Sequence, residues 1–305
     1  METKFPIESG GSRIAPVVCT RGEAPLGWFP SGAEPGMRLL FLGDIVGSPG
    51  MALVRRAVPF LRAAERLDLV VANAENAAGG SGLTPAQYRQ LRAAGVDAVT
   101  LGDHIYKKFD IEPVLSQPDE PVVKPANYPP AAPGRDHILV TAADGTRVCV
   151  FSVLGRTFMR PVDCPFAAAD RVLAGLPADV RVIVVDVHAE ATGDKYLLGH
   201  HLNGRVSAVL GTHTHVPTAD EQILTGGTAF QCDVGMSGPY ASVLGRRVDR
   251  VLATVVTFAP SPFDVATGDV RLAGALVDID PATGRATAIR RVMWTEAQIN
   301  ELARV

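Results

Sequence analysis

An α/β layered fold is what this 305-residue sequence predicts, and three patterns carry the prediction. From residue 37 onward, short apolar runs recur that are too brief and too rich in β-branched residues for buried helices. Segments with helix start and stop signals separate them. The runs are continuously apolar rather than alternating, so both faces of the strands must be covered, as when helices flank a sheet.

The elements follow in chain order. Residues 1–36 are rich in Gly, Pro and Ser and show no sustained periodicity. Such a composition does not bury enough apolar surface to offset its ordering entropy, so a disordered N-terminal extension is expected there, with one domain over 37–305. Strands are expected at 39–42, 69–72, 96–101, 148–154, 182–187 and 206–210. After the first strand, GDIVGSPG (43–50) turns the chain past Asp44 into a helix starting near Pro49. It lacks the Lys-Ser/Thr of a triphosphate loop and the spacing of a dinucleotide fingerprint. TPAQYRQLRAAG (84–95) reads as a helix capped by Thr84, with Pro85 in the first turn and Gly95 at its end. A further helix is expected over 166–173. Beyond residue 250, the stretches 251–258, 270–279 and 286–294, with ATG and PATG turn signals between them, read as antiparallel strands completing a second sheet.

Composition narrows the function classes. A hydrophobic content of 47% allows a large core. The formal charge of -3 with interspersed signs offers no basic stripe, which argues against a dedicated nucleic-acid-binding surface and leaves room for a small anionic substrate. No run approaches the roughly 20 apolar residues of a membrane span. METKFPIESGGSR lacks the apolar core of a secretory signal, so the cytoplasm is the expected address. Cys19, Cys149, Cys164 and Cys232 form no CxxC pair, which points to small core residues rather than disulfides or a thiolate site. The Ala- and Gly-rich chain with apolar C-terminal strands leaves room for a homo-oligomeric interface.

The informative pattern is the placement of polar residues. Asp44 follows LLFLG, Glu75 and Asn76 follow VVANA, Asp103 and His104 follow VTLG, His188 follows VIVVDV, and His213 and His215 follow AVLGT. Each lies just past a strand, and the carboxyl ends of neighbouring strands in α/β sheets converge on one crevice. Singly, each has an ordinary alternative, such as a turn former or a helix cap for the aspartates. Alternate residues of a strand point to one face, so His213 and His215 read as a chelating pair. His137 and the His200–His201 pair lack strand-end placement and read as ordinary surface or structural residues. A donor set of carboxylate, carboxamide and imidazole suits Mn²⁺, Fe or Zn²⁺, and this many donors fit two ions roughly 3.5–4 Å apart.

GDIVGSPG, NAENAAGGSGLT, the GDH segment, KPANYP, GRTF, DVHAEAT, GTHTHVPTAD and DVGMSGPY, in this order and spacing, resemble the YmdB-like family of bacterial metallophosphoesterases. The resemblance runs from Met37 to about Trp294. It implies a four-layer α/β/β/α sandwich of the metallo-dependent phosphatase type and hydrolysis of 2′,3′-cyclic nucleotides at a dinuclear metal centre. Carried over residue by residue, it implies that Asp44, Glu75, Asn76 and His215 hold one divalent ion. Glu75, Asp103, His188 and His213 would hold the other, with Glu75 bridging. The expected reaction is attack by a metal-bridged hydroxide, with His104 beside the ions assisting the leaving group.

The chain departs from the family at Asp103, where GNH is usual, and has Tyr106 where Trp is frequent. By formal count two divalent ions with Asp44 and Glu75 carry +2, and Asp103 lowers that to +1. Lower positive charge holds metal more tightly and attracts an anionic phosphodiester less. One alternative is a metal-binding regulatory protein with weak or no catalysis, in which His104 is dispensable. Another is a barrel-fold hydrolase of amides, disfavoured because its His-x-His pair commonly follows the first strand, where this chain has Asp44.

Overall fold

A computed structural model describes residues 36–303. The expected disordered extension, Gly36 apart, lies outside the described residues, as does Cys19. The chain forms two sheets. It opens with β1 (Met37–Leu42), β2 (Asp44–Ile45), β3 (Leu69–Asn73) and β4 (Ala98–Thr100). The middle supplies β5 (His137–Thr141), β6 (Arg147–Leu154), β7 (Val182–His188), β8 (Ala208–Thr212), β9 (Gln222–Ile223) and β10 (Ala229–Gln231). The last strands are β11 (Met236–Pro239), β12 (Val270–Ile279) and β13 (Ala286–Thr295). Helices are α1 (Gly47–Ala64), α2 (Pro85–Ala93), α3 (Glu112–Leu115), α4 (Pro165–Ala174), α5 (Thr192–Leu202), α6 (Val248–Thr257) and α7 (Glu296–Leu302).

The first sheet runs β2-β11-β12-β1-β3-β4 with β13 beside β12, and the second runs β5-β6-β7-β8-β10-β9. The first four and last three strands thus share one sheet, and the middle six form the other. This corrects the expectation that the C-terminal strands complete a second sheet: β12 pairs along the whole of β1, antiparallel, from Met37↔Ile279 to Leu42↔Gly274.

The layering follows from the pleat, which sends successive side chains to opposite faces. In β1, Met37, Leu39 and Phe41 join Val148, Val150, Val182 and Val184 in an apolar core between the sheets. Leu40 and Leu42 face the other way, onto Val54, Val58 and Leu61 of α1 and Leu91 of α2. In the second sheet Cys149, Phe151, Ile183 and Val185 pack on Ala168 and Val172 of α4 and Leu198 of α5. Helices, sheet, sheet, helices are therefore held by three apolar cores, in an α/β/β/α arrangement, each fully buried aliphatic side chain contributing roughly 1.5–3 kcal/mol.

Two further differences have plain causes. Residues 251–258 are not a strand; they fall in α6, whose Val248, Leu252, Val255 and Val256 follow helical spacing, with Asp249 in the first turn and Phe258 closing it at φ 57°. β-branched content masked that period, and α6 buries none of its residues. Cys149 and Cys232 are buried as expected, whereas Cys164 is exposed just before α4. Among the described residues no helix is long and apolar enough to cross a membrane.

The strand ends that carry the polar residues are tightly packed. Val234 N–H donates to the carbonyl of Gly211, and a Cβ at Gly211 would lie 1.7 Å from the Cys232 carbonyl oxygen. Gly211→Ala is therefore expected to cost roughly 2–4 kcal/mol in urea unfolding, since the obstacle is backbone and cannot step aside. An unchanged midpoint would contradict this close approach.

Candidate metal centre

The parallel strands of both sheets end at one crevice. From the first sheet come Asp44, opening β2; Glu75 and Asn76, in the turn after β3; and Asp103 and His104, in the turn after β4. From the second come His188, the last residue of β7, and His213 and His215 just past β8. The structure brings all eight side chains together. Asp44, Glu75 and His188 are fully buried, Asn76 nearly so, and His104 reaches solvent with 29% of its side chain.

Two halves share Glu75. In one, His188 Nε2 lies 3.2 Å from Glu75 Oε1 and 3.2 Å from Asp103 Oδ1. His213 Nδ1 lies 3.5 Å from that same Asp103 oxygen. A ligand atom from each of Glu75, Asp103, His188 and His213 falls within 4.8 Å of the others. In the second half, His215 Nε2 lies 3.6 Å from Asp44 Oδ1, and the Asn76 amide sits 3.4 Å from Asp44, 3.2 Å from Glu75 and 3.2 Å from His215. His213 and His215 thus serve different halves. They do not lie on a strand: Thr212 ends β8, and the two histidines adopt φ 90° and 65°, a left-handed region that side chains avoid. Strand alternation is not what aims them; a strained turn is.

The donors fit divalent cations. Within the cluster, the partners of Asp44, Glu75 and Asp103 are imidazoles, backbone amides and one carboxamide. Two ring nitrogens, His213 Nδ1 and His188 Nε2, face each other at 3.0 Å, which needs a proton or cation between or beside them. Gly102 leaves the cradle open: a Cβ there would lie 2.3 Å from His188 Nε2 and 2.4 Å from Glu75 Oε2.

The charges respond accordingly. Burial would raise the Asp44 carboxyl, but the His215 and His188 imidazoles outweigh it and leave it well below the usual carboxylate range. Asp103 ends in the same direction, burial being overcome by hydrogen bonds from His188 and His213. His188 is held well above an ordinary histidine despite its burial, through Glu75 and Asp103, and His215 is raised by Asp44 against its own burial.

A second ring of residues, missed in the sequence, orients these groups. Thr212 Oγ1 donates to Asp186 at 2.6 Å, so it accepts from His188 Nδ1 at 2.8 Å. That hydrogen bond holds the ring with Nε2 toward the cluster. Thr100 and Asn73 also donate to Asp186, whose carboxyl burial pushes up to about 6 against the pull of His188. The His-Thr-His turn is clamped by Asp233, which accepts from Thr214 Oγ1 at 2.6 Å and from the buried Lys195 at 2.7 Å. Glu190 reaches His213 Nε2 at 3.2 Å. A carboxylate inside the apolar VIVVDVH was the available signal for Asp186. His104 Nδ1–H donates to Asn76 Oδ1 at 2.8 Å, and its backbone N–H donates to Glu75. Asp103 caps no helix, since residues 103–106 form a turn. His137 pairs with Asp136 and His201 with Asp170, away from the cluster, and His200 is exposed. In GDIVGSPG, Gly47 adopts φ 62° and donates to Asn76 O, which serves the turn past Asp44.

The lowered carboxyls have a consequence for the metal-free protein. A native value below the unfolded one of about 3.9 contributes stability that is fully present above about pH 4 and is lost as the pH falls toward the native value. Unfolding free energy of metal-free Asp103→Asn is therefore expected to decline less steeply below pH 4 than that of wild type; parallel profiles would contradict the assignment.

Comparison with known proteins fits this geometry. The family model for YmdB-like proteins matches residues 40–292. A Bacillus subtilis protein named 2′,3′-cyclic-nucleotide 2′-phosphodiesterase is 43% identical over 258 residues, 84% of this chain and 97% of that one. A crystal structure of a hypothetical protein from Thermus thermophilus superposes with a TM-score of 0.80 at 45% identity, covering 85% of this chain and all of the other. A phosphatase structure from Mycoplasma pneumoniae gives a TM-score of 0.80 at 27% identity, covering 90% and 98%. With most of its length matched in sequence and in fold, this chain belongs to the YmdB-like protein family.

Proposed function

We propose that residues 37–305 form one catalytic domain, a dinuclear-metal phosphodiesterase that hydrolyses 2′,3′-cyclic nucleotides. The observation that carries this reading is the pair of donor groups sharing the buried Glu75. Support for the substrate comes from the name of the Bacillus subtilis relative. Asp44, Glu75, Asn76 and His215 would hold one ion and Glu75, Asp103, His188 and His213 the other, both Mn or Fe by donor type, with Zn compatible. Two such ions supply Lewis acidity to the phosphoryl oxygens and an activated water.

The chain's own residues do the rest. To hold an ion through its oxygen, Asn76 would have its amide turned over from the orientation seen, and its NH₂ would then donate to His104 Nδ1. The ring hydrogen would thereby sit on Nε2, 3.6 Å from Asp103 Oδ2, from where it can donate a hydrogen bond to the leaving oxygen of the opened ring. His104, the most solvent-open imidazole of the cluster, is thus the group placed to assist departure.

Metal analysis is expected to find two ions per chain. A screen of 2′,3′-cyclic, 3′,5′-cyclic and linear substrates is expected to show turnover of the first class. His104→Ala should retain metal and lose roughly 10²–10⁴-fold in kcat. A two-metal protein inactive on every substrate would overturn the enzyme reading and favour a regulatory role. Asp103→Asn restores a neutral ligand, so it should release metal more readily to a chelator and turn over faster. Unchanged metal retention and unchanged rate would refute the charge argument.

A further inference from the structure

Just past the end of β6, Phe158 breaks two habits at once. Its backbone sits at φ 60°, which a bulky side chain ordinarily avoids, and the residue is 91% exposed. Folding gains nothing from either feature. The turn that imposes them is firmly held: Asp194 accepts from the backbone N–H of Arg156 at 2.8 Å and of Thr157 at 2.9 Å, and from the Thr157 hydroxyl at 3.1 Å. On the other side Met159 packs against the helix-side apolar cores of both sheets.

The turn also borders the crevice at both of its feet. Gly155 N–H donates to the carbonyl of His188 at 3.0 Å. Arg160 lies over the Tyr128 ring, 5.4 Å from its centroid, and donates to its hydroxyl at 3.4 Å. Tyr128 meets Tyr106 edge to face at 5.9 Å, and Tyr106 is two residues past His104. A strained, anchored turn, joined to the end of β7 through Gly155 and to Tyr128 through Arg160, therefore carries an uncovered aromatic residue. Phe258 has a like φ and a like exposure but closes α6, whereas Phe158 closes no helix and its turn is joined to the backbone of His188 and to Tyr128.

We propose that Phe158 is the stacking platform for the substrate's nucleobase, and so sets a preference for nucleoside phosphodiesters over base-free ones. The inference rests on the phosphodiesterase reading above. Every base offers a π-face, so an aromatic ring at the rim binds nucleotides without demanding a particular base.

The test is steady-state kinetics of the full-length, metal-loaded protein on a 2′,3′-cyclic purine nucleotide and on glycerol 1,2-cyclic phosphate, which has the same five-membered ring and no base. Phe158→Ala should raise KM for the nucleotide about tenfold, leave its kcat within about twofold, and leave the base-free substrate unchanged. Phe158→Trp should keep the wild-type KM. Phe158→Gly, which accepts φ 60° without strain, should raise Tm while raising the nucleotide KM as alanine does. An unchanged nucleotide KM in Phe158→Ala, or an equal rise for both substrates, overturns the stacking role alone. Wild type that hydrolyses neither substrate overturns the phosphodiesterase reading and this proposal with it.

Discussion

The arrangement depends on a buried carboxylate, Glu75, that stands where the two sheets converge. Removing a carboxylate from water is costly unless opposite charge and hydrogen bonds replace the lost hydration. Around Glu75 the replacements are His188 Nε2, the His104 backbone amide and the Asn76 amide, while Asp44 and Asp103 add two more negative charges close by. A set of acids this dense, balanced by imidazoles and amides, carries an electrostatic cost that divalent cations would relieve.

That cost shapes the surroundings. Thr212, itself bonded to Asp186, holds the His188 ring with Nε2 inward, and Asp233 with Lys195 clamps the turn that carries His213 and His215. Both histidines occupy strained backbone, so the clamp is what keeps them in place. Behind the clamps, three apolar cores fix the strand ends from which every member of the cluster projects. The cluster is therefore held by the sheets themselves, and the turn before Phe158 is firmly anchored as well.

Much of this was legible in the sequence because strand ends advertise themselves. A continuous apolar run followed by Asp, Glu, Asn or His marks a polar group at a carboxyl edge, and that pattern pointed to all eight residues of the crevice. The family resemblance groups His215 with Asp44 and His213 with His188, as they stand here, but strand-end placement alone did not reveal which histidine serves which half, because the geometry of His213 and His215 comes from positive φ angles that residue type does not announce. Nor did it reveal Asp186 and Asp233, whose roles exist only through partners far away in the chain, such as Thr100 and Lys195. Sheet membership was misassigned for β12 and β13 because local pattern says that a segment is a strand and nothing about its neighbour. In α6 the β-branched residues spoke for a strand while their spacing spoke for a helix, and the spacing prevailed.

The central claim is that Glu75 is shared between two cations. Anomalous X-ray diffraction from crystals of the Mn²⁺-loaded protein tests it most directly. The account predicts two peaks roughly 3.5–4 Å apart, one beside Asp44 and His215 and the other beside His188 and His213, with Glu75 reaching both. A single peak at saturating Mn²⁺, or two peaks of which only one lies against Glu75, would contradict it.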